Sequence, residues 1–151
     1  MSTDYLIYTD GSCLGNPGAG GWAAIIIDCK TGEIDEFHDG EKHTTNNRME
    51  LTAAIVALKN LSSGAEVELY TDSQYLKNAF TNNWIVNWKR NGWITSQRKP
   101  VLNQDLWREL DDLMMLHNVS FRWVKGHAGF KYNERCDELA RTEATKYQKL
   151  R

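Results

Sequence analysis

Proline is scarce in this chain, two residues in 151, and no stretch is low in complexity or internally repeated. These absences exclude a fibrous or disordered chain. Cysteine is sparse as well. Cys13, Cys29 and Cys136 are odd in number, far apart, and lack the paired spacing of a disulfide framework or a zinc site, so they read as reduced thiols. Nowhere do about 18 apolar residues follow one another, and Met1-Ser2-Thr3-Asp4-Tyr5 has no basic leader, so the expectation is a cytoplasmic protein with no membrane segment. No association segment, coiled or apolar, is visible, which points to a monomer. Acids are missing from one place in particular. From Ser73 to Gln104 there are five bases, Lys77, Lys89, Arg90, Arg98 and Lys99, and no aspartate or glutamate. The remainder holds all 20 acids against 13 bases, so a net charge of −2 conceals a basic stretch on an acidic body. That division suggests a polyanion held at one side and metal at another.

What is present fits one domain over residues 1–151, at 41% hydrophobic and 25% charged residues. Asp4 to Asp10 alternates like a strand, Gly20 to Asp28 is a more buried strand, and Glu33 to Glu41 a third. The glycine-rich run from Gly11 to Gly21 reads as a tight turn between the first two. Asn46 to Leu61 changes to helical period through Leu51, Ala54, Ile55, Leu58 and Leu61. Glu66 to Thr71 is a short strand, and a helix follows from Ser73. The basic stretch places Trp84 and Trp88 on one helix face and breaks at Asn91-Gly92 and at Pro100. Asp105 to His117 is a helix, Val119 to Val124 a strand, and Asn133 to Leu150 a closing helix. The order βββαβαααβα predicts an α/β fold, a five-stranded mixed sheet with helices on its faces, because the later crossovers are long enough for parallel pairing.

Four carboxylates stand at four separate seams of this layout: Asp10, Glu50, Asp72 and Asp137. The layout predicts Asp10 and Asp72 at strand carboxyl ends and Glu50 and Asp137 in first turns of helices. Singly, each has an ordinary explanation. Asp10-Gly11 is a turn dipeptide, Glu50 follows Asn47 in capping-box register, Asp72 could cap the next helix, and Asp137 could be a solvated first-turn acid. Together they would form a magnesium site, since like charges gather in a folded interior only when a cation neutralises them.

The neighbours of these residues carry a resemblance. Tyr8-Thr9-Asp10-Gly11-Ser12-Cys13-Leu14-Gly15-Asn16-Pro17-Gly18, Thr44-Thr45-Asn46-Asn47-Arg48-Met49-Glu50-Leu51, Tyr70-Thr71-Asp72-Ser73-Gln74-Tyr75, Trp123-Val124-Lys125-Gly126-His127-Ala128-Gly129 and Asn133-Glu134-Arg135-Cys136-Asp137-Glu138-Leu139-Ala140-Arg141 closely resemble the bacterial ribonuclease HI family, in order and over nearly the whole chain. The resemblance implies a ribonuclease H-like fold with helices on both faces and a basic helical handle at about residues 81–100. It implies an endonuclease that cuts the RNA strand of an RNA/DNA hybrid, leaving a 5′-phosphate and a 3′-hydroxyl. Two divalent ions about 4 Å apart serve both oxygens of such an in-line displacement, and hard oxygen ligands select Mg²⁺, with Mn²⁺ able to substitute. Asp10 would bridge the two ions, Asp137 would hold the ion that activates water, and Glu50 and Asp72 the ion on the leaving-group side. His127 would assist proton transfer or product release; taken without the motif it reads more readily as a surface loop histidine, and the motif match is what favours the functional role. After Gly129 this chain has Phe130-Lys131-Tyr132 where the family often has a proline-containing turn, which bears on the mobility of the His127 loop.

The same resemblance assigns contacts to 2′-hydroxyls, the feature that separates RNA from DNA, to Cys13, Asn16, Asn46, Asn47 and Gln74, and one to Glu50. Thr45 would meet a DNA phosphate and Trp84 a DNA sugar. Trp88 would anchor the handle, with Lys89, Arg90, Trp93, Arg98 and Lys99 meeting the duplex without reading its sequence. The asparagines also suit turns and caps, and the tryptophans suit a core. Three other readings compete. A dinucleotide or phosphate loop fails because neither G-x-G-x-x-G nor G-x-x-x-x-G-K-[ST] occurs and a strand follows the glycines. A polynucleotidyl transferase related by fold would be expected to carry further domains, for which 151 residues leave no room. A catalytically silent hybrid-binding module is the remaining alternative, since a fold does not guarantee its chemistry.

Overall fold

The computed structural model describes residues 2–62, 64–125 and 131–150. Three antiparallel-linked strands come first, β1 (Tyr5–Leu14), β2 (Gly18–Asp28) and β3 (Ile34–Thr44), followed by α1 (Asn46–Lys59). Then come β4 (Glu66–Thr71), α2 (Gln74–Thr81), α3 (Trp84–Arg90), α4 (Gln104–Leu116), β5 (Asn118–Trp123) and α5 (Lys131–Lys149). The strands form one sheet in the order β3-β2-β1-β4-β5. β1 pairs antiparallel with β2 and parallel with β4, which pairs parallel with β5. The predicted order βββαβαααβα and the mixed five-stranded sheet are therefore the observed ones.

β2 shows how two helical layers are served. Side chains alternate across a strand, and here Ala24 and Ile26 pack with Leu51, Ala54 and Leu58 of α1, while Ala23 and Ile25 pack with Cys136, Leu139 and Ala140 of α5. The helices thus lie on both faces. On the α1 side Trp107 is fully buried, and its ring meets those of Tyr75, Phe80 and Trp88, which ties α2, α3 and α4 into one layer.

The glycine-rich run differs from its prediction. Only residues 15–17 form the turn, and Gly11, Gly20 and Gly21 lie inside the paired strands. Two of them are there for close approach. A Cβ on Gly11 would lie 2.6 Å from Glu50 N and 2.8 Å from the Met49 carbonyl carbon, so only a glycine lets α1 settle onto β1 at this point. A Cβ on Gly21 would collide with the Ala140 carbonyl oxygen, so α5 settles equally closely on the opposite face. Gly punctuates sequences as a turn former, and that signal masked its second use.

Three placements move as a consequence. Asp10 is not at the end of its strand: β1 continues to Leu14 paired with β2, although the parallel ladder to β4 stops at Tyr8↔Tyr70. Glu50 is the fifth residue of α1 rather than a first-turn acid in a capping box, because the cap is Thr45, whose side chain accepts from Arg48 N–H at 3.2 Å. Asp137 is the seventh residue of α5, since that helix starts at Lys131 rather than at Asn133.

Candidate active site

Asp10 comes to the site from β1, just past the end of the parallel ladder, where β4 no longer covers it. Asp72 follows the last residue of β4, and the next helix is capped by Ser73, whose Oγ accepts from Leu76 N–H at 3.1 Å. Glu50 is lowered onto Asp10 by the Gly11 contact, and its Oε1 accepts a short hydrogen bond from Gly11 N–H. Carboxylate oxygens of Asp10, Glu50 and Asp72 all lie within 4.8 Å of one another. Asp10 is only 4% exposed and Glu50 3%. Asp137 approaches from α5 and lines the same cavity of about 330 Å³, together with Asn46, Asn47 and Gln74. All four predicted carboxylates therefore line one cavity, three of them as a tight cluster.

The electrostatics of that cluster are one-sided. Burial, then the charge of Asp10 and a carboxyl–carboxyl hydrogen bond with it, then the charge of Asp72, push Glu50 well above the usual carboxylate range, and the hydrogen bond from Gly11 N–H offsets this only in part. Glu50 Oε2 is buried and receives no hydrogen bond. Buried acceptors are ordinarily satisfied. A divalent cation would satisfy this one and remove the like-charge penalty at once, and the donor set, all hard oxygen, suits Mg²⁺, Mn²⁺ or Ca²⁺ over softer metals. The residues present thus fit a divalent cation.

Beside the cavity runs a polar strip. Cys13 Sγ donates to Gly15 O at 2.8 Å and lies 3.4 Å from Thr44 O. Asn16 Oδ1 accepts from Asn46 N–H at 3.1 Å, which ties the β1–β2 turn to the start of α1. Gln74 opens α2, and Tyr75 after it meets Trp84 at 5.9 Å between ring centroids, which carries the strip to the first residue of α3. Cys13, Asn16, Thr45, Asn46, Asn47, Gln74 and Trp84 are thus adjacent to one another or to the cavity. In the handle, Arg90, Arg98 and Lys99 are exposed, and Lys89 pairs with Asp111 at 3.0 Å, so part of the basic stretch is neutralised from α4. Trp93 differs from its expected place. It is 8% exposed, packed against Trp88 and covered by the Arg108 guanidinium, which makes it a core residue that fastens the handle. His127 and Phe130 lie outside the described residues.

Sequence reasoning missed the residues that brace the strip. Arg48 grips Asp105 through two bonds of 3.0 and 2.8 Å and reaches Asn103 Oδ1 at 3.3 Å. Asn103 and the Trp107 indole both donate to the Tyr75 hydroxyl, at 3.2 and 2.7 Å. Arg48 and Tyr75 stand inside the motifs quoted above, but their partners are far away along the chain, and no spacing rule joins them.

Comparison with known proteins agrees with this geometry. The RNase H family profile matches residues 2–145. A ribonuclease H of Rhodopseudomonas palustris (strain BisB5) is 56% identical over 144 residues, covering 95% of this chain and 93% of the relative. One from Nitratidesulfovibrio vulgaris (strain DSM 19637 / Miyazaki F) is 56% identical over 138 residues, covering 91% and 87%. Among solved structures, LC9-RNase H1, a type 1 RNase H with the type 2 active-site motif, superposes with a TM-score of 0.83 at 32% identity, covering 97% of this chain and 75% of that one. LC11-RNase H1, solved in complex with an RNA/DNA hybrid, superposes with a TM-score of 0.67 at 25% identity, covering 94% and 97%. With the sheet order, the clustered carboxylates and these matches in agreement over most of its length, this chain belongs to the ribonuclease H family.

Proposed function

We propose that this chain, acting as one ribonuclease H domain with a handle at residues 81–100, hydrolyses the RNA strand of RNA/DNA hybrids endonucleolytically by a two-metal-ion mechanism. Hydrolysis of the RNA strand follows from membership of the family; the metal arrangement and the residue roles are the proposal. The observation that carries it is the set of three carboxylates whose oxygens lie within 4.8 Å of one another in a cavity that Asp137 also lines.

When bound, Mg²⁺ supplies an activated water and charge neutralisation at the departing oxygen, with Mn²⁺ able to substitute. Asp10, Glu50, Asp72 and Asp137 would hold the ions, with Asp10 common to both, Asp137 on the side of the attacking water, and Glu50 and Asp72 on the side of the leaving group. Water oxygen bonds to phosphorus, the bond from phosphorus to the ribose 3′ oxygen breaks, and a proton passes to that oxygen, giving 5′-phosphate and 3′-hydroxyl ends. His127 assists proton transfer or product release. Cys13, Asn16, Asn46, Asn47 and Gln74, adjacent to the cavity, recognise 2′-hydroxyls, which a DNA strand lacks. Thr45 and Trp84 meet the DNA strand, and Lys89, Arg90, Arg98 and Lys99 attract its phosphates. Trp93 contributes by holding the handle in place. The chain works as a monomer in the cytoplasm. Among the described residues no helix is long and apolar enough to cross a membrane.

The test is incubation of a labelled RNA/DNA hybrid with Mg²⁺, beside single-stranded RNA, duplex RNA and the Asp10→Asn variant. Only the hybrid should be cut, in its RNA strand, and Asp10→Asn should lower the rate by more than about 1,000-fold. Cleavage that survives in the variant, or equal cleavage of duplex RNA, would overturn the two-metal hybrid-nuclease reading. Binding of the hybrid without cleavage would favour the silent module.

A further inference from the structure

Three of the four carboxylates crowd one another, whereas Asp137 stands outside that cluster on α5 and has a positive charge of its own at hand. Arg141, one helical turn further on, donates its Nε–H to Asp137 Oδ2 at 2.9 Å. The arginine side chain is 62% exposed against 27% for the aspartate, and of the pair it is Asp137 that lines the cavity, so the guanidinium acts on the cavity through this carboxylate. Exposed i, i+4 pairs contribute little to stability. The consequence of this one lies in the cavity.

We propose that Arg141 is a resident counter-charge that competes with a divalent cation for Asp137 Oδ2 and so weakens the ion position on Asp137 until a phosphate is also present. The inference rests on the reading of Asp137 as an ion ligand. A guanidinium stays protonated throughout the working pH range, so this competitor is displaced by another cation and not by titration. An incoming divalent ion must break a charge-assisted hydrogen bond and then sit beside a cation that the helix keeps within a few ångströms. A substrate phosphate changes that balance. It offers the ion further anionic oxygens, and it offers the displaced guanidinium, a fork-shaped donor suited to phosphate, a new partner. Asp137 is then a ligand whose strength depends on whether substrate is in place, unlike Asp10, which is buried inside the sheet. Arg141 is a positioning residue in this scheme, acting on the site through Asp137.

The test is Mn²⁺ binding to the full chain without nucleic acid, read as free Mn²⁺ by electron paramagnetic resonance. The proteins compared are the unaltered chain, the Arg141→Ala, Arg141→Gln, Arg141→Lys and Asp137→Asn variants, and the double variant Arg141→Ala/Asp137→Asn. Arg141→Ala and Arg141→Gln should each bind Mn²⁺ about tenfold more tightly, as expected from removing one unit charge several ångströms from a divalent ion in a water-like medium. Arg141→Lys keeps the charge and should stay close to the unaltered chain. Unchanged or weaker binding in both neutral variants overturns the proposal, as does tightening in Arg141→Lys equal to that in Arg141→Ala. Combined with Arg141→Ala, Asp137→Asn should cancel the tightening. If the tightening survives in that double variant, the reading of Asp137 as an ion ligand falls, and the inference with it.

Discussion

Glu50 is the residue whose chemistry is most changed by where it sits. Held in α1, it is pressed against Asp10 and Asp72 with almost no water, and its folded-state pKa lies well above the ordinary value of 4.5. The sign of the linkage follows. The folded chain binds more protons at this position than the unfolded chain does, so stability is greatest below the unfolded pKa and falls as pH rises toward the folded one. Ion-free protein should therefore lose melting temperature as pH is raised from about 4.5 toward neutrality. Adding Mg²⁺ should restore the loss, since an ion that binds only the folded state stabilises it, and Glu50→Gln should abolish most of the pH dependence. Calorimetry in EDTA and in Mg²⁺ across that range checks this. A Glu50→Gln profile identical to that of the unaltered chain would mean that the buried carboxylate is not the group responsible. The position of Glu50 in the sequence pointed to the site, but its perturbation did not, because the sequence states neither burial nor the approach of Asp10.

At the scale of elements, two helices are brought onto a sheet from opposite sides through glycines. α1 rests on Gly11 and carries Glu50; α5 rests on Gly21 and carries Asp137. α5 is fastened along its length to the edge strand β3 by Arg135 to Glu36 at 2.9 Å, Glu143 to His38 at 2.9 Å and Tyr147 to Asp39 at 2.6 Å. Adding one methyl at Gly21 forces backbone against backbone, which neither β2 nor α5 can relieve by rotating a side chain. Gly21→Ala should lower stability by about 1–3 kcal/mol, the range for overpacking, measured by urea denaturation. It should lower hybrid cleavage beyond what the unfolded fraction explains, because Asp137 moves with the helix. Normal stability and normal cleavage together would refute the close-packing account. The helices and strands themselves were legible from hydrophobic period. Their ends were not, because a glycine that permits a turn and a glycine that permits a close approach look the same in sequence.

Across the whole molecule, acids gather at the cavity while the accessible bases of the handle, Arg90, Arg98 and Lys99, lie at the end of the layer formed by α2, α3 and α4. Under the proposed function the duplex would be attracted at one place and cut at another. The double variant Arg98→Ala/Lys99→Ala should weaken hybrid binding alike for all sequences and flatten the dependence of log affinity on log salt by up to about two. Turnover at saturating substrate should be unaffected. Filter binding between low and moderate salt measures the slope, and an unchanged slope would show that these bases do not meet phosphates. Lys89, already paired with Asp111, should matter less than Arg98 and Lys99. The sequence displayed the five bases as one run, and only the folded structure shows that one of them, Lys89, is paired with Asp111 and that a tryptophan among them, Trp93, is buried.

The sequence by itself determined the element order, the alternation that gives the sheet two covered faces, and the four carboxylates, because local period and motif spacing are properties of the chain. Tertiary structure alone decided which atoms come together. It set the three oxygens within 4.8 Å, the unsatisfied Glu50 Oε2, the partners of Arg48 and Tyr75, and the place of Trp93. The first two depend on how closely α1 lies on β1, which the side chain absent at Gly11 permits, and the others on packing that brings together residues distant along the chain, which no local period records.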